Sequence, residues 1–280
     1  MESVVSDSFD VTTLLGSGLG LQALLPVDFE LKHEFTLNNH LDIFPNQQVN
    51  VLPKLRYFGV GIKGCYNADD GILSAAYNPS RTNMNLYSLI PLRCRPVDED
   101  LNDIERAQYR LRVRKTLDDG NEYILYYLKV LTFNEEVGYK RIDTATGKEE
   151  SYTPNSANLA PIPQAPSTDT VVTTDTTQIV AYCKANVKVE ADEVLEYINA
   201  NFGDPRYAKI SELGFFTGVD FTATGTTGVD NTPVTYKEAA YVMLYNHLTN
   251  LGYPLTSSGM SIDATFDITS RGDIVGDSAL

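Results

Sequence analysis

Apolar and polar residues alternate along several segments in the first half of the chain. In KLRYFGVGIKG (residues 54–64), Phe58 and Val60 share one side of a period-two ribbon and Gly59 lies on the other. This period indicates a β-strand, because successive side chains of a strand point to opposite faces. VDFELKHEFTL (27–37) has the same period, and NLYSLIPLRCRPV (85–97) is a further extended candidate.

The clearest hairpin signal lies in residues 109–131, YRLRVRKTLDDGNEYILYYLKVL. The Asp-Gly pair that ends at Gly120 is typical of a tight turn between two strands. If the loop has two residues, Arg112 lies across from Tyr127. If it has three residues and ends at Gly120, Arg112 lies across from Tyr126.

One side of this hairpin predicts an interaction surface. Arginines alternate with apolar residues on the first strand, so one side carries guanidinium groups next to tyrosine while the other packs inward. Large aromatic groups beside arginine are typical of protein interfaces, although arginine stems that merely cover tyrosine rings in water are an alternative. The predicted interface, called the arginine face below, consists of Arg110, Arg112, Arg114, Tyr126 and Tyr127.

The last hundred residues mix helix and strand patterns. TYKEAAYVMLYNHLTNLGYP (235–254) begins with a T-x-x-E capping box, carries an apolar stripe and ends with Gly and Pro, so it predicts the longest helix. ADEVLEYINANFG (191–203) predicts a short helix closed by its final glycine, and DPRYAKISELG (204–214) predicts another. Strands are predicted at 178–189 and 260–268.

Composition divides the chain into four parts. Residues 1–21 mix Ser, Asp, Thr and Gly with leucine and predict an extended, flexible N-terminal arm. Residues 152–177 are rich in Pro and Thr and predict an extended linker. The predicted fold class is therefore mainly β with a smaller α+β part, with an antiparallel β domain at 22–151 and a C-terminal α+β domain at 178–280.

The charge balance excludes some partners. The 280 residues contain 37 acids and 22 bases, a net charge of -15, which disfavours nucleic acid because its phosphates repel such a surface. Cys65, Cys94 and Cys183 are odd in number and far apart, so reduced thiols are expected rather than disulfides. No basic residue precedes the first apolar positions and no apolar run reaches about 20 residues. We therefore expect no signal peptide, no membrane span and synthesis in the cytoplasm.

No segment has the signature of a catalytic, cofactor or metal site. GSGLG (16–20) lacks the spacing of a dinucleotide-binding loop, and the three histidines have no partner at ligand spacing. NADDG (67–71) lacks the ligand ladder of a calcium loop, and RGD at 271–273 is interpreted as a turn. We predict no catalytic residue, cofactor or metal. A carboxylate-based hydrolase stays open, because such an enzyme needs only two acids brought together by the fold.

The order of arm, β domain, Pro/Thr linker and small α+β domain resembles virion structural proteins of tailed bacteriophages. LPVDFELKHEFTLNNHLDIFP (25–45) and LPKLRYFGVGIKG (52–64) are similar in style to neck, tail or baseplate ring components. The resemblance implies a non-enzymatic subunit of a symmetric assembly in a virion. Its partners would be copies of itself and other structural proteins of the particle.

In such a ring, the arginine face of one copy would meet the acidic segment DEDLNDIE (98–105) of the next. A carbohydrate- or receptor-binding module is the alternative from another class, and it would need exposed aromatic residues gathered in one place.

Overall fold

The structure, a computed structural model, is mainly antiparallel β with short helices, which confirms the predicted fold class. It describes residues 8–26, 30–67, 74–133, 136–143, 145–157, 159, 177–190, 192–204, 209–252 and 259–269. Most of the predicted linker, the RGD tripeptide and all but the first residue of NADDG lie outside these ranges. None of the helices within them is long and apolar enough to cross a membrane.

The largest sheet has eight strands. They are β1 (Ser8–Thr12), β2 (Lys54–Gly61), β5 (Leu89–Ile90), β6 (Arg93–Pro96), β7 (Tyr109–Thr116), β8 (Glu122–Val130), β13 (Glu212–Thr227) and β14 (Thr232–Asn250). Their order is β1-β14-β13-β2-β8-β6, with β5 beside β2 and β7 beside β8. The paired strands are antiparallel, and apolar side chains from β2, β7, β8, β13 and β14 form the core.

The remaining strands form two smaller sheets. β3 (Cys65–Asn67) pairs with β4 (Ser74–Ala76). The other sheet consists of β9 (Thr132–Phe133), β10 (Gly138–Asp143), β11 (Glu149–Ser151), β12 (Thr177–Val189) and β15 (Met260–Thr269). Its order is β11-β10-β12-β15, with β9 beside β12. The predicted strands at 178–189 and 260–268 are thereby confirmed.

The helices are short. They are α1 (Leu14–Leu24), a 3-10 turn (His33–Phe35), α2 (Leu37–Leu41), α3 (Asp103–Arg106) and α4 (Leu195–Phe202). α4 ends at Gly203 in the left-handed conformation, as its sequence predicts, and Asn102 forms a capping box with Glu105 at the start of α3.

The chain forms two compact units, and each is built from two segments. The first contains Met1–Leu131 and Lys188–Ser261, and the second contains Thr132–Val187 and Ile262–Leu280. The predicted domains at 22–151 and 178–280 do not coincide with these units. The reason is that β13 pairs with β2 across more than 150 residues of chain, and composition carries no signal of such a pairing.

The predicted helix at 235–254 is wrong, because this segment forms β14. Its residues 238–244 are all buried, because β13 pairs along one edge of the strand and α2 and β7 pack against it. A strand buried on both faces loses the alternation of polar and apolar residues, and its continuous apolar run can imitate a helical stripe. The predicted helix at 204–214 also fails in its described part, since β13 begins at Glu212.

The predictions for the N-terminal region are also corrected. Residues 8–21 of the predicted arm contain β1 and most of α1, and the described part of the predicted strand at 27–37 contains the 3-10 turn and the start of α2. Thr13 fixes the start of α1, because its hydroxyl accepts the N–H of Gly16 at 3.0 Å and donates to the carbonyl of Leu244 in β14. This cap ties the helix to the central sheet.

Two glycines of α1 give a matched test of this docking. A Cβ at Gly16 would lie 2.6 Å from the carbonyl oxygen of Tyr245, whereas a Cβ at Gly20 would meet nothing within 4 Å. We expect Gly16→Ala to lower the free energy of unfolding by about 1–3 kcal/mol through overpacking. Gly20→Ala should raise it by about 0.5–1 kcal/mol, because alanine loses less entropy in a helix. Urea denaturation of both variants measures this, and equal effects would contradict the docked position of α1.

Candidate functional site

The hairpin of β7 and β8 has the register in which Arg112 pairs with Tyr126. Its loop ends at Gly120, which has a φ of +81°, a value that glycine adopts without strain. The three-residue loop is therefore the one that forms. Tyr126 lies on the arginine side of the hairpin, whereas Tyr127 belongs to the core.

The arginine face is covered by the chain itself, which corrects the prediction of an exposed interface. Arg110, Arg112, Tyr126 and Tyr127 are 4%, 7%, 0% and 9% exposed. Arg114 is partly exposed, and its guanidinium donates to Glu122 and to the side chain of Asn231, both at 2.7 Å. Four of the five residues are therefore buried, and the two tyrosines leave no large aromatic surface for a second chain.

Arg110 is neutralised by an aspartate from β13. Its Nε and Nη2 atoms donate to the two carboxylate oxygens of Asp220 at 2.7 and 3.1 Å, a bidentate arrangement. The hydroxyl of Tyr57 in β2 donates to the same carboxylate at 2.7 Å. Hydrogen bonds to the carboxylate of Asp220 thus join β7, β13 and β2.

Arg112 is neutralised by the acidic segment that was predicted to belong to a neighbouring copy. Its Nη2 atom donates to Asp100 at 3.0 Å and to the carbonyl of Thr226 at 2.6 Å, and its guanidinium lies 5.1 Å from the ring centroid of Tyr236. The cation–π partner is thus Tyr236 of β14, not a tyrosine of the hairpin. The partner segment was identified from charge, but the contact is within one chain.

Asp100 also accepts hydrogen bonds from Tyr126 and Arg106. It accepts the hydroxyl of Tyr126 at 2.6 Å and Nη2 of Arg106 at 3.3 Å, and its side chain is only 3% exposed. Burial acts to raise the pKa of Asp100, but the hydrogen bond from Tyr126 and the charge of Arg112 outweigh it. The pKa therefore lies below the ordinary value of 3.8.

A second buried carboxylate holds a strained turn in β7. Glu238 of β14 accepts the N–H groups of Leu111 and Arg112 at 2.6 and 2.9 Å and that of Ala239 at 2.8 Å. Leu111 has a φ of +56°, which is costly for a branched side chain and is maintained by these bonds. Burial raises the pKa of Glu238 to about 7, against the opposing effect of the three N–H donors.

A third buried carboxylate organises the loops around β2 and β5. Glu212 of β13 accepts the N–H groups of Lys63, Tyr87 and Ser88 at 3.0, 2.6 and 3.0 Å. It also lies 3.1 Å from Nε2 of His247, and both side chains are fully buried. These contacts fix the backbone from which Tyr87 projects.

Two pockets bear on the hydrolase alternative. One of about 260 Å³ lies beside α3 and contains Asp103, Arg106, Tyr236 and Lys237 in its wall. A second of similar volume, in the second unit, contains Glu149 and Glu150. These two glutamates are paired with Lys140 and Lys148, both at a distance of 2.8 Å or less. Neither pocket tests the alternative of a carboxylate-based hydrolase, which stays a prediction.

Two of the histidines, His33 and His247, are held by contacts with other side chains. The ring of His33 stacks on Tyr241 with centroids 4.5 Å apart, and Nδ1 of His247 lies 3.0 Å from the amide nitrogen of Asn83. Within the part of the chain that the structure describes, no group of three or more His, Cys, Asp or Glu side chains is placed to hold a metal ion.

Four exposed leucines of the first unit lie on α1 and at the residue that follows it. Leu14, Leu21, Leu24 and Leu25, called the leucine ridge below, are 54%, 57%, 72% and 50% exposed. The opposite side of the helix packs on β14 through Gly16 and Leu19. Sequence reasoning missed this surface because it assigned residues 1–21, which include most of α1, to a flexible arm. The signal was present as a segment without charged residues, LLGSGLGLQALL (14–25), which lacks the polar face of an ordinary surface helix.

A family model with the description "Family of unknown function (DUF7208)" matches residues 1–278. The chain belongs to the DUF7208 family. No curated protein and no solved structure matches it. The family match covers both compact units, so the two-unit arrangement falls within a single DUF7208 model.

Proposed function

We propose that this DUF7208 chain is a non-enzymatic structural subunit of an assembly of identical chains. The observation that carries the proposal is the leucine ridge. Its four side chains leave large apolar areas in water, and contiguous apolar patches of this kind are typical of surfaces that bind another protein. Each leucine that becomes fully covered would contribute about 1.5–3 kcal/mol.

The occupant proposed for the ridge is the α1 helix of a second copy. α1 has no acidic or basic residue at either end, and its polar side chains are Ser17 and Gln22. The chain as a whole has a net charge of -15, so contacts through most other surfaces would bring like charges together. Pairing two uncharged ridges across a two-fold axis avoids this repulsion and covers the same patch on both copies.

The spacing of the ridge suits helix pairing. Leu14 and Leu21 are seven residues apart, which places them along one line of the helix, and Leu25 directly follows its last residue. Ser17 and Gly18 occupy the turn between Leu14 and Leu21. Small side chains at that turn would allow a second helix to approach closely.

The finer proposal is a tailed-phage virion, with this chain in a neck, tail or baseplate ring that assembles in the host cytoplasm. It rests on the resemblance in style of residues 25–45 and 52–64 to such components. Electron microscopy of particles from the native source, with mass spectrometry of their proteins, tests it. Finding the chain free of any particle would overturn the virion proposal and leave the leucine ridge to be tested separately.

Changing the ridge should abolish self-association. In sedimentation velocity, we expect the wild-type chain to form a species larger than a monomer. The double variant Leu21→Glu/Leu24→Glu should sediment as a monomer, with a dissociation constant raised about 100-fold or more, because two buried leucines are lost and charges are placed against each other.

Val229→Glu is the matched control for this experiment. Val229 is 74% exposed and lies in the turn between β13 and β14, so its change to glutamate adds one negative charge, half of what the double variant adds, away from the ridge. This variant should associate like the wild type. A wild-type chain that stays monomeric up to high concentration, or equal dissociation of both variants, would contradict the proposal.

A further inference from the structure

Three exposed tyrosines lie in contact with one another on the first unit. Tyr66 in β3, Tyr77 after β4 and Tyr87 before β5, called the tyrosine row below, are 45%, 44% and 44% exposed. The ring centroids of Tyr66 and Tyr77 are 5.1 Å apart, and those of Tyr77 and Tyr87 are 5.7 Å apart. The row therefore presents continuous aromatic surface to solvent.

The backbone under the row is held by buried groups. The N–H of Tyr77 donates to the carbonyl of Gly64 at 2.8 Å, and the carbonyl of Tyr77 accepts the hydroxyl of Thr249 in β14. The N–H of Tyr87 donates to the carboxylate of Glu212 at 2.6 Å. Fixed tyrosines lose little conformational freedom when a ligand binds, which favours affinity.

A buried ring supports the row from below. His247 is fully buried, and its ring centroid lies 5.0 Å from that of Tyr87. Its two ring nitrogens contact Glu212 and Asn83, so the imidazole cannot turn away from Tyr87 without breaking both contacts. The aromatic surface thus continues from the interior to the solvent.

The connection between Tyr77 and Tyr87 is polar but almost uncharged. The connection from Tyr77 to Tyr87 reads NPSRTNMNL and contains no acid and one base, Arg81. Asn78, Ser80 and Thr82 are exposed, and the hydroxyl of Tyr87 reaches the carbonyl of Asn78 at 3.4 Å. Amide and hydroxyl groups both donate and accept hydrogen bonds.

We propose that the tyrosine row binds a neutral carbohydrate. Pyranose rings have apolar C–H faces that pack on aromatic rings, and their hydroxyl groups require partners that both donate and accept. Aromatic surface next to a few polar groups is the usual composition of a small-ligand site. A phosphorylated or acidic sugar would need more than the single positive charge of Arg81. This inference does not rest on the leucine ridge, because α1 contributes no tyrosine to the row; the two surfaces meet where Arg81 contacts Leu14 and Ser17 of α1.

Native gel electrophoresis of the full chain in gels that contain dissolved polysaccharide tests the proposal. The probes are dextran, hydroxyethyl cellulose, glycol chitin, yeast mannan and larch arabinogalactan. We expect retardation in at least one gel, relative to a reference protein that binds no sugar. Titration calorimetry with the matching oligosaccharide should show that Tyr66→Ala and Tyr77→Ala each weaken binding at least tenfold.

Tyr139→Ala is the control, because Tyr139 is exposed to a similar extent, 41%, but lies in β10 of the second unit. It should bind like the wild type, and thermal unfolding should show that all three variants fold. Absence of retardation by every probe would overturn the proposal, as would binding that survives Tyr77→Ala. Tyrosine-dependent binding of a proline-rich peptide, APIPQAP, without binding of any sugar would also overturn it and would assign the row to peptide docking.

Discussion

Asp100→Ala is expected to lower the free energy of unfolding by about 3–5 kcal/mol, the usual cost of removing one partner from a buried ion pair. The variant would leave the guanidinium groups of Arg112 and Arg106 without this carboxylate, and it would remove the acceptor for the hydroxyl of Tyr126. The side chains of both arginines are at most 6% exposed. Water therefore cannot replace the lost partner at low cost. Urea denaturation at pH 7 measures the difference.

Asp103→Ala is a close control for this result. Asp103 lies three residues away and also pairs with Arg106, at 2.7 Å, but its side chain is 89% exposed. Exposed ion pairs typically contribute about 0–1 kcal/mol, so this variant should change stability little. Equal effects of the two substitutions would show that burial of Asp100 does not determine the energy of the cluster.

The effect of Asp100→Ala should depend on pH. The pKa of Asp100 is lower in the folded protein than its ordinary value of 3.8, so the charged carboxylate stabilises the fold. This contribution is present above the ordinary pKa and is lost as the pH falls through the lower folded value. The difference between wild type and variant should therefore shrink in strongly acidic solution.

Glu238→Gln is expected to remove a pH dependence of about 3 kcal/mol, since each unit of pKa difference corresponds to about 1.4 kcal/mol. Burial raises the pKa of Glu238 from its ordinary 4.5 to about 7 in the folded protein. The folded state thus binds the proton more tightly than the unfolded chain. The resulting stability is fully present below pH 4.5 and is lost as the pH rises to about 7.

The comparison of wild type and Glu238→Gln over pH 4.5–8 isolates this group, because the other acids are common to both proteins. The free energy of unfolding of the wild type relative to the variant should fall by about 3 kcal/mol across this range. An offset that stays constant would mean that the N–H groups of Leu111, Arg112 and Ala239 outweigh burial and keep the carboxylate charged in both states. Glutamine retains only one acceptor oxygen, so a constant loss of stability from the unsatisfied N–H is expected in addition.

The sequence was most informative where contacts are local. The Asp-Gly turn fixed the hairpin of β7 and β8 to one of two registers, and the position of Gly120 decides between them through its positive φ. The predicted helix at 191–203 contains α4, which ends at Gly203 as its sequence predicts. Each of these elements depends on residues within about a dozen positions, so its signal is contained in one short segment.

The sequence was misleading for β14. Thr235 and Glu238 have the spacing of a capping box, yet Glu238 accepts N–H groups from β7, more than 120 residues away in the chain. A carboxylate that caps a helix and one that holds a distant strand have the same local sequence. Only the pairing of β14 with β13 and β1 distinguishes them.

The sequence by itself therefore determined the strand-rich class, the central hairpin and the acidic segment at 98–105 as a partner of the arginine face, which the structure shows for Arg112. Only the tertiary structure decided that the arginines are neutralised within one chain, because the fold brings Asp100 and Asp220 onto the arginine face. It also decided which apolar groups stay outside, namely the leucine ridge and the tyrosine row. Whether a side chain is exposed depends on which other residues pack against it. Here those residues come from distant parts of the chain, so a short segment of sequence carries no signal of them.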